Sequence, residues 1–156
     1  MLVFLDTEFT DRTEPYLISI GMVAGDRVFY AELAGVSDLI CSPFVRDTVL
    51  PLLERSGLQP GQVASRIVTF LELFGGRVTF FCEDPRYDVE LLRPFLPAQL
   101  KWSVAVPSFD SDADERAFEA ARQRAFASGL RRHHALDDAR ALALAWSSLK
   151  IGHHEG

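Results

Sequence analysis

The chain has 156 residues, of which 48% are hydrophobic, and its formal net charge is −6. A chain of this length and apolar content is expected to bury the core of one ordinary domain, and no apolar run reaches the ~18 residues that a membrane span needs. The negative charge argues against a protein that coats nucleic acid through bulk positive charge. It does not argue against an enzyme that binds one end of a nucleic acid strand with the help of metal ions.

Strand-like apolar runs alternate with amphipathic segments, and this pattern indicates a single α/β domain over residues 1–150 with a C-terminal tail at 151–156. The strands at 16–24 and 27–33 are expected to form a hairpin. Region 35–61 is irregular and matches no motif. In chain order, the sequence predicts strands at 2–6, 16–24 and 27–33, helices at 47–55 and 61–74, a strand at 78–82, a helix at 85–93, a strand at 102–106, and helices at 112–126 and 134–149.

The cysteine content and the first residues bear on the cellular compartment. Cys41 and Cys82 are the only cysteines, and their positions suggest no pairing. A structural disulfide is therefore not expected, and a reducing, cytoplasmic location is the default expectation. The opening segment MLVFLDTEF lacks the basic region and cleavage site of a signal peptide, and we expect it to form a buried strand.

The first motif whose side chains suit metal binding or catalysis is Asp6-Thr7-Glu8, at the end of the first predicted strand. Side chains two apart on a strand point to the same face, so these two carboxylates repel each other unless a cation lies between them. Hard oxygen ligands of this kind suit Mg²⁺ or Mn²⁺. Taken alone the motif is weak, because an acid that caps the strand end and a solvated glutamate give the same pattern.

Two further motifs carry an acid or a histidine at the start of a predicted helix. Asp88 lies in the first turn of the mid-chain helix, where the helix dipole also favours an acid, and Asp84 is the expected N-cap. His133 precedes the last helix and Asp138 follows five residues later, a spacing that can place a base and a ligand around one cavity. Each segment alone is equally explained by first-turn acids and a solvated loop histidine.

The order of the three motifs closely resembles that of the DEDDh exonucleases, which include ribonuclease T, oligoribonuclease and the proofreading subunit of DNA polymerase III. The strings LDTEF, YLISIGMV and HHALDDARALA resemble the signature regions of that superfamily, and the resemblance covers residues 2–146. It implies a ribonuclease H-like fold with a mixed five-stranded sheet, its first three strands antiparallel, and helices on both faces. It also implies a 3′→5′ exonuclease, with RNA favoured because the most similar small bacterial enzymes are exoribonucleases.

The resemblance also implies roles for five residues. Asp6, Glu8 and Asp138 would bind one divalent cation, Asp6 would bridge to a second, and Asp88 would support the second ion through water. His133 would be the general base, since an imidazole with an ordinary pKa of ~6.5 accepts a proton near neutrality. Two Mg²⁺ or Mn²⁺ ions ~3.5–4 Å apart would activate the attacking water and stabilise the leaving oxygen.

Substrate contacts are predicted next to the acids of the first strand. The corresponding stretch in related enzymes contacts the terminal nucleotides, so Thr7 and Phe9 are candidate substrate-binding residues. Phe9 can stack on a base, or it can fill the core at the strand end. The spacing to Asp138 in the motif selects His133 over its neighbour His134. Asp137 is expected to be solvated, so His134→Ala and Asp137→Asn should leave most activity.

The expected partner is an RNA 3′ end, with DNA as the alternative, and homodimers are common among the enzymes that the chain resembles. Two rival interpretations remain open. A haloacid-dehalogenase-like phosphatase fits the apolar strand followed by an acid, but the longer arm of Glu8 does not suit that family. A catalytically silent binding module on the same fold is the other rival, although degenerate copies usually lose one or more acids.

Overall fold

The computed structural model describes residues 1–152, with side chains described through residue 149, and it is an α/β domain built on one sheet. The predicted mixed sheet of five strands is confirmed. The strands are β1 (Leu2–Phe9), β2 (Leu17–Ala24), β3 (Arg27–Glu32), β4 (Val78–Phe81) and β5 (Trp102–Ala105). The helices are α1 (Pro43–Thr48), α2 (Pro60–Glu72), α3 (Pro85–Leu92), α4 (Asp112–Ala127) and α5 (Ala135–Gly152), with short 3-10 turns at Asp38–Ile40, Leu50–Leu52 and Arg93–Phe95.

The strand order places β1 at the centre of the sheet, as β3-β2-β1-β4-β5. β1 pairs antiparallel with β2, and β2 pairs antiparallel with β3. β4 lies parallel to β1 on the other side, and β5 lies parallel to β4. The pairing of β4 with β1 extends from Leu2 to Phe4, so the second half of β1 projects beyond the end of β4.

The two faces of the sheet bury separate hydrophobic clusters, which places helices on both sides. On one face, odd-numbered β1 residues such as Val3 and Leu5 pack with α2 and α3, through residues that include Ile67 and Leu92. On the other face, Phe4 packs with α4 and α5. The alternation of side chains along β1 therefore directs Phe4 and the even-numbered residues that follow it toward α4 and α5.

Gly21 is the residue that lets α5 begin directly against the sheet. It lies opposite Asp6 in the register of β1 and β2. A Cβ atom at this position would overlap the backbone of Ala135 and Leu136, at the start of α5. A glycine is therefore required here for the close approach of two backbones, and this approach fixes the position of α5 relative to β1.

Substitution Gly21→Ala is expected to destabilise the protein strongly. Because the obstructing atoms are backbone rather than a flexible side chain, α5 has to shift, and overpacking of this kind costs roughly 1–3 kcal/mol or more. Urea unfolding of the purified variant measures the effect. Gly61→Ala is the matched control, since a Cβ atom there meets nothing within 4 Å, and it should leave the unfolding midpoint the same or higher.

The predicted elements are present, with two local differences. The helix expected at 47–55 is wrong in its bounds: the helix runs from Pro43 to Thr48, because the Ser42 hydroxyl accepts the N–H of Val45 and caps it, and only a 3-10 turn at Leu50–Leu52 follows. Asp84 occupies the N-cap position of α3, but its carboxylate makes no cap bond there. It binds the guanidinium of Arg86 instead, at 3.0 Å from both Nε and Nη2.

The C-terminal tail predicted at 151–156 falls partly on described residues. α5 continues through Gly152, and residues 153–156 lie outside the described residues. Within residues 1–152, none of the helices combines the length and the apolar character needed to cross a membrane. Cys41 and Cys82 are both buried and free, as expected from the sequence.

Candidate active site

The projecting half of β1 carries Asp6 and Glu8 toward the face that holds α5. Asp6 lies opposite Gly21, and Glu8 lies opposite Ser19 on β2. Both carboxylates are half-buried and line one cavity of about 570 Å³. The cavity forms here because β1 extends beyond β4 and leaves open space at the strand end. The first motif of the sequence therefore presents both of its acids to a single concave site.

The start of α5 brings the third motif to the same cavity. His133 adopts a left-handed conformation with φ of 65°, which turns the chain into the helix. Its backbone N–H donates to Oδ2 of Asp138 at 2.7 Å, so the carboxylate caps the turn that presents the imidazole. Ligand atoms of Glu8, His133 and Asp138 all lie within 4.8 Å of one another. Residues from β1 and α5, far apart in sequence, therefore converge on one point.

Asp88 lies behind the cavity, in a buried position on α3. Beyond the end of β4, its Oδ1 accepts the backbone N–H of Thr7 at 3.1 Å and the Thr7 hydroxyl at 2.7 Å. These bonds lower the pKa of the Asp88 carboxyl, but burial outweighs them and raises the pKa to about 7. Thr7 thus positions Asp88, a role that the sequence analysis did not assign to it. Thr7 also lines the cavity, and its contact with substrate stays a prediction.

The four acids interact electrostatically. Burial raises the pKa of Asp6 well above its usual range, and the negative charges of Asp88, Glu8 and Asp138 raise it further. Burial, Asp138 and Asp88 together raise the pKa of Glu8 to about 8. The pKa of Asp138 is raised to about 6, mainly by burial. Crowded carboxylates of this kind are stabilised in their charged form by a bound cation.

The donor set fits divalent cations. Four carboxylates from β1, α3 and α5 supply hard oxygen atoms, which Mg²⁺ and Mn²⁺ prefer, and one imidazole lies within reach of two of them. The mutual repulsion of the acids is the observation that carries this fit, because the charges of Asp88, Glu8 and Asp138 all raise the pKa of Asp6. The residues predicted as metal ligands are thus suited to hold cations.

The environment of His133 suits a proton acceptor. Burial lowers the pKa of its imidazole, and the neighbouring positive charge of Arg132 lowers it further. The ring is therefore neutral near pH 7, and a neutral imidazole has a free lone pair. Its ring also makes an edge contact with Phe44 at a centroid distance of 5.0 Å, which restrains its orientation.

Aromatic side chains form the walls of the cavity on either side of the acids. Phe9 lines the cavity and stacks on Tyr87, with centroids 4.7 Å apart and ring planes 12° from parallel. Phe44, on α1, lines it as well and is 54% exposed. One face of Phe9 is thus occupied by Tyr87, and stacking of a nucleotide base on Phe9 stays a prediction.

Asp137 and His134 differ from what the sequence suggested. Asp137 was expected to be solvated, but it is buried and accepts from the Arg131 Nε at 2.6 Å and from the Arg140 Nη1 at 3.1 Å. Burial alone would raise its pKa, but these bonds lower the pKa below the usual range. His134 is fully buried and stacks on Tyr30 with centroids 4.5 Å apart. Asp137 thus joins the segment before His133 to α5, and His134 packs the same segment against β3.

Substitution Asp137→Asn is expected to destabilise the protein by about 1–3 kcal/mol, because the arginine partners lose a charge-assisted hydrogen bond in a buried setting. Chemical denaturation measures the difference. Asp47→Asn, at an exposed position on α1, is the control and should change stability by less than about 0.5 kcal/mol. An equal effect of the two substitutions would show that the bonds to Asp137 contribute nothing.

Several cavity residues were not found from the sequence. Phe44 lies in region 35–61, which matches no motif, and Glu83 and Arg122 face the cavity from the end of β4 and from α4. Arginine and glutamate in these segments carry no spacing signal, since only the packing of α4 against α5 brings Arg122 to Glu83 at the site.

Comparison with known protein families gives no match to this chain, and no curated protein matches it either.

Proposed function

We propose that the chain is a metal-dependent 3′→5′ exonuclease of the DEDDh type, with a ribonuclease H-like fold and an RNA 3′ end as its substrate. One observation carries the proposal. Asp6, Glu8 and Asp138 line a single cavity with His133, and Asp88 lies close enough to raise the pKa of Asp6. A set of four acids and a histidine supplied by three separate motifs is difficult to explain by stability alone, because crowded carboxylates destabilise a fold that has no cation.

In this proposal the acids hold divalent cations. Asp6, Glu8 and Asp138 would hold one ion, Asp6 would also reach a second, and Asp88 would support the second through water. When bound, two such ions would polarise the attacking water and neutralise the negative charge that develops on the leaving oxygen. Thr7 keeps the Asp88 carboxylate oriented through its two hydrogen bonds, so that its charge remains directed at the site.

His133 takes the proton from the attacking water. The water oxygen forms a bond to the phosphorus of the terminal nucleotide, and the bond from that phosphorus to the 3′ oxygen of the preceding nucleotide breaks. The products are a nucleoside 5′-monophosphate and a strand that is one nucleotide shorter. The lowered pKa of His133 keeps its imidazole neutral and able to accept this proton, and Asp138 fixes the backbone that carries it.

Digestion of end-labelled oligonucleotides tests the proposal. RNA and DNA strands, single-stranded or with overhangs, are incubated with Mg²⁺ or Mn²⁺. A 5′ label should appear in a ladder that shortens one nucleotide at a time, and a 3′ label should appear at once in mononucleotides. Faster cleavage of RNA than of DNA is expected. Release of inorganic phosphate from a generic phosphomonoester would support a phosphatase instead, and binding without hydrolysis would support a silent module.

Substitution His133→Ala is expected to lower kcat, measured on the oligonucleotide that the wild type cleaves fastest, on the order of 10²–10⁴-fold. This is the range typical for loss of a general base. The Michaelis constant should change far less, because the acids that bind cations are untouched. His134→Ala cannot serve as the neutral control, since His134 is buried against Tyr30. Arg116→Gln on the exposed side of α4 is used instead. Unchanged turnover in His133→Ala would remove His133 from the chemistry.

A further inference from the structure

Arg122 is the least exposed of the arginines that line the cavity. It extends from α4, and its side chain is 18% exposed, whereas the other cavity arginines, Arg12 and Arg132, are exposed. The guanidinium of Arg132 donates a hydrogen bond to Gln123 and lies over the ring of Phe126. The inner wall of an otherwise acidic cavity thus carries one sheltered positive charge among the described residues.

The hydrogen bonds of Arg122 use only one of its three nitrogens. Nη1 donates to Glu83 at 2.7 Å and to Glu119 at 3.5 Å. Nε is buried and has no partner among the described residues. A buried donor without a partner costs free energy, and a site that serves only stability would be expected to satisfy it. The two acids hold the guanidinium at Nη1, and Nη2 makes no hydrogen bond among the described residues, so it is the donor left for another acceptor.

The electrostatic surroundings indicate what that acceptor is. Arg122 lines the same cavity as the acids Asp6, Glu8 and Asp138. The acids themselves are expected to be neutralised by cations. The planar guanidinium next to such a centre can donate two parallel hydrogen bonds to two oxygens of a phosphate group, and its positive charge suits that anion.

We propose that Arg122 binds a backbone phosphate of the strand that occupies the cavity, and that Glu83 holds its guanidinium in place for this contact. The inference rests on the proposed function, because it takes a nucleic acid strand as the occupant. Arg122 is then a substrate-binding residue that grips the strand beside the reacting phosphate. Glu83 is a positioning residue, since it reaches the strand only through Arg122.

The test compares three variants under steady-state cleavage of a short single strand with Mn²⁺, at several salt concentrations. Arg122→Gln is expected to lower kcat/KM by roughly 10–100-fold, the loss expected for one hydrogen bond to a charged group. It should also reduce the slope of log kcat/KM against log salt by ~0.7, the value for one phosphate contact on a single strand. Arg124→Gln, on the same helix but exposed, should leave both quantities as in the wild type.

Glu83→Gln separates a phosphate contact from a structural role, because it breaks the same ion pair but keeps the arginine. Its salt slope should equal that of the wild type. A reduced slope in both variants, or an unchanged slope and a kcat/KM within about threefold in Arg122→Gln, would overturn the inference while the exonuclease function stands. If Arg122→Gln fails to fold, Arg122→Lys gives the result, since a lysine keeps the charge and should restore the slope but not the full affinity. A wild type without any cleavage would instead count against the proposed function.

Discussion

Replacement of Asp6 by asparagine is expected to abolish cleavage and at the same time to stabilise the metal-free protein. The loss of activity should be on the order of 10³-fold or more, because Asp6 is the acid proposed to be shared by both cations. The gain in stability follows from the electrostatics. Burial and the charges of Asp88, Glu8 and Asp138 all raise the pKa of Asp6, so its ionised form is unfavourable in the folded protein. An amide of the same shape removes that cost.

The two effects are measured on the same preparation, by digestion with Mn²⁺ and by thermal unfolding in EDTA. Asp26→Asn is the matched control, because Asp26 is an exposed acid in the turn between β2 and β3. It should change neither activity nor unfolding temperature measurably. Lower stability of Asp6→Asn in EDTA would mean that the Asp6 carboxylate is paired in the fold, which would contradict the crowding of acids described above.

Stability of the metal-free protein is expected to fall as the pH rises above neutrality. The pKa of Glu8 is raised to about 8 and that of Asp88 to about 7, from ordinary values near 4 in the unfolded chain. A raised folded-state pKa contributes stability that is complete below the unfolded pKa and is lost as the pH rises through the folded pKa. The protons held by these acids therefore stabilise the fold at neutral pH and are released in mildly alkaline solution.

The choice of pH range isolates the acids. The lowered pKa values of His133 and His134 act in the opposite direction, but only up to the ordinary histidine pKa of ~6.5, above which unfolded histidine is neutral too. Between about pH 7 and about pH 9 the expected loss is on the order of 1–3 kcal/mol. For a chain of this size it corresponds to a fall of roughly 3–10 °C in Tm.

Thermal unfolding in EDTA across this range, repeated with saturating Mg²⁺ or Mn²⁺, measures the effect. Bound cations should raise Tm most at the alkaline end, because binding requires the ionised carboxylates. Glu8→Gln should flatten the profile in EDTA, since it removes the acid whose pKa lies within the range. A metal-free profile that is flat from the start would show that the acids are not crowded in solution.

Much of the fold could be predicted from the sequence because the signals are local. β1 begins with an apolar run before Asp6 and continues to Phe9, and α2 shows a clear apolar stripe, so the presence of strand and helix follows from periodicity. The candidate site was predictable for another reason. Asp6, Glu8, Asp88, His133 and Asp138 occupy three motifs whose order is informative even though each motif alone is weak. The structure brings Asp6, Glu8, His133 and Asp138 into one cavity, with Asp88 directly behind it.

The remaining features depend on packing between segments far apart in the chain. The environment of Asp137 is set by Arg131 and Arg140, so sequence position alone suggested a solvated first-turn acid. The role of Gly21 follows from the approach of α5, which no strand pattern reveals. Arg122 reaches the cavity only because α4 packs against α5 and Glu83 holds its guanidinium. Contacts of this kind have no signature in spacing or composition.

The most direct measurement is the position of Mn²⁺ in crystals of the wild-type protein, located by anomalous scattering. We predict two peaks about 3.5–4 Å apart in the cavity, within bonding distance of Asp6, Glu8 and Asp138, and their loss in Asp6→Asn crystals grown in the same way. A cavity that stays without metal at millimolar Mn²⁺, or a single peak that does not touch Asp6, would contradict the proposal that these acids form a two-metal centre.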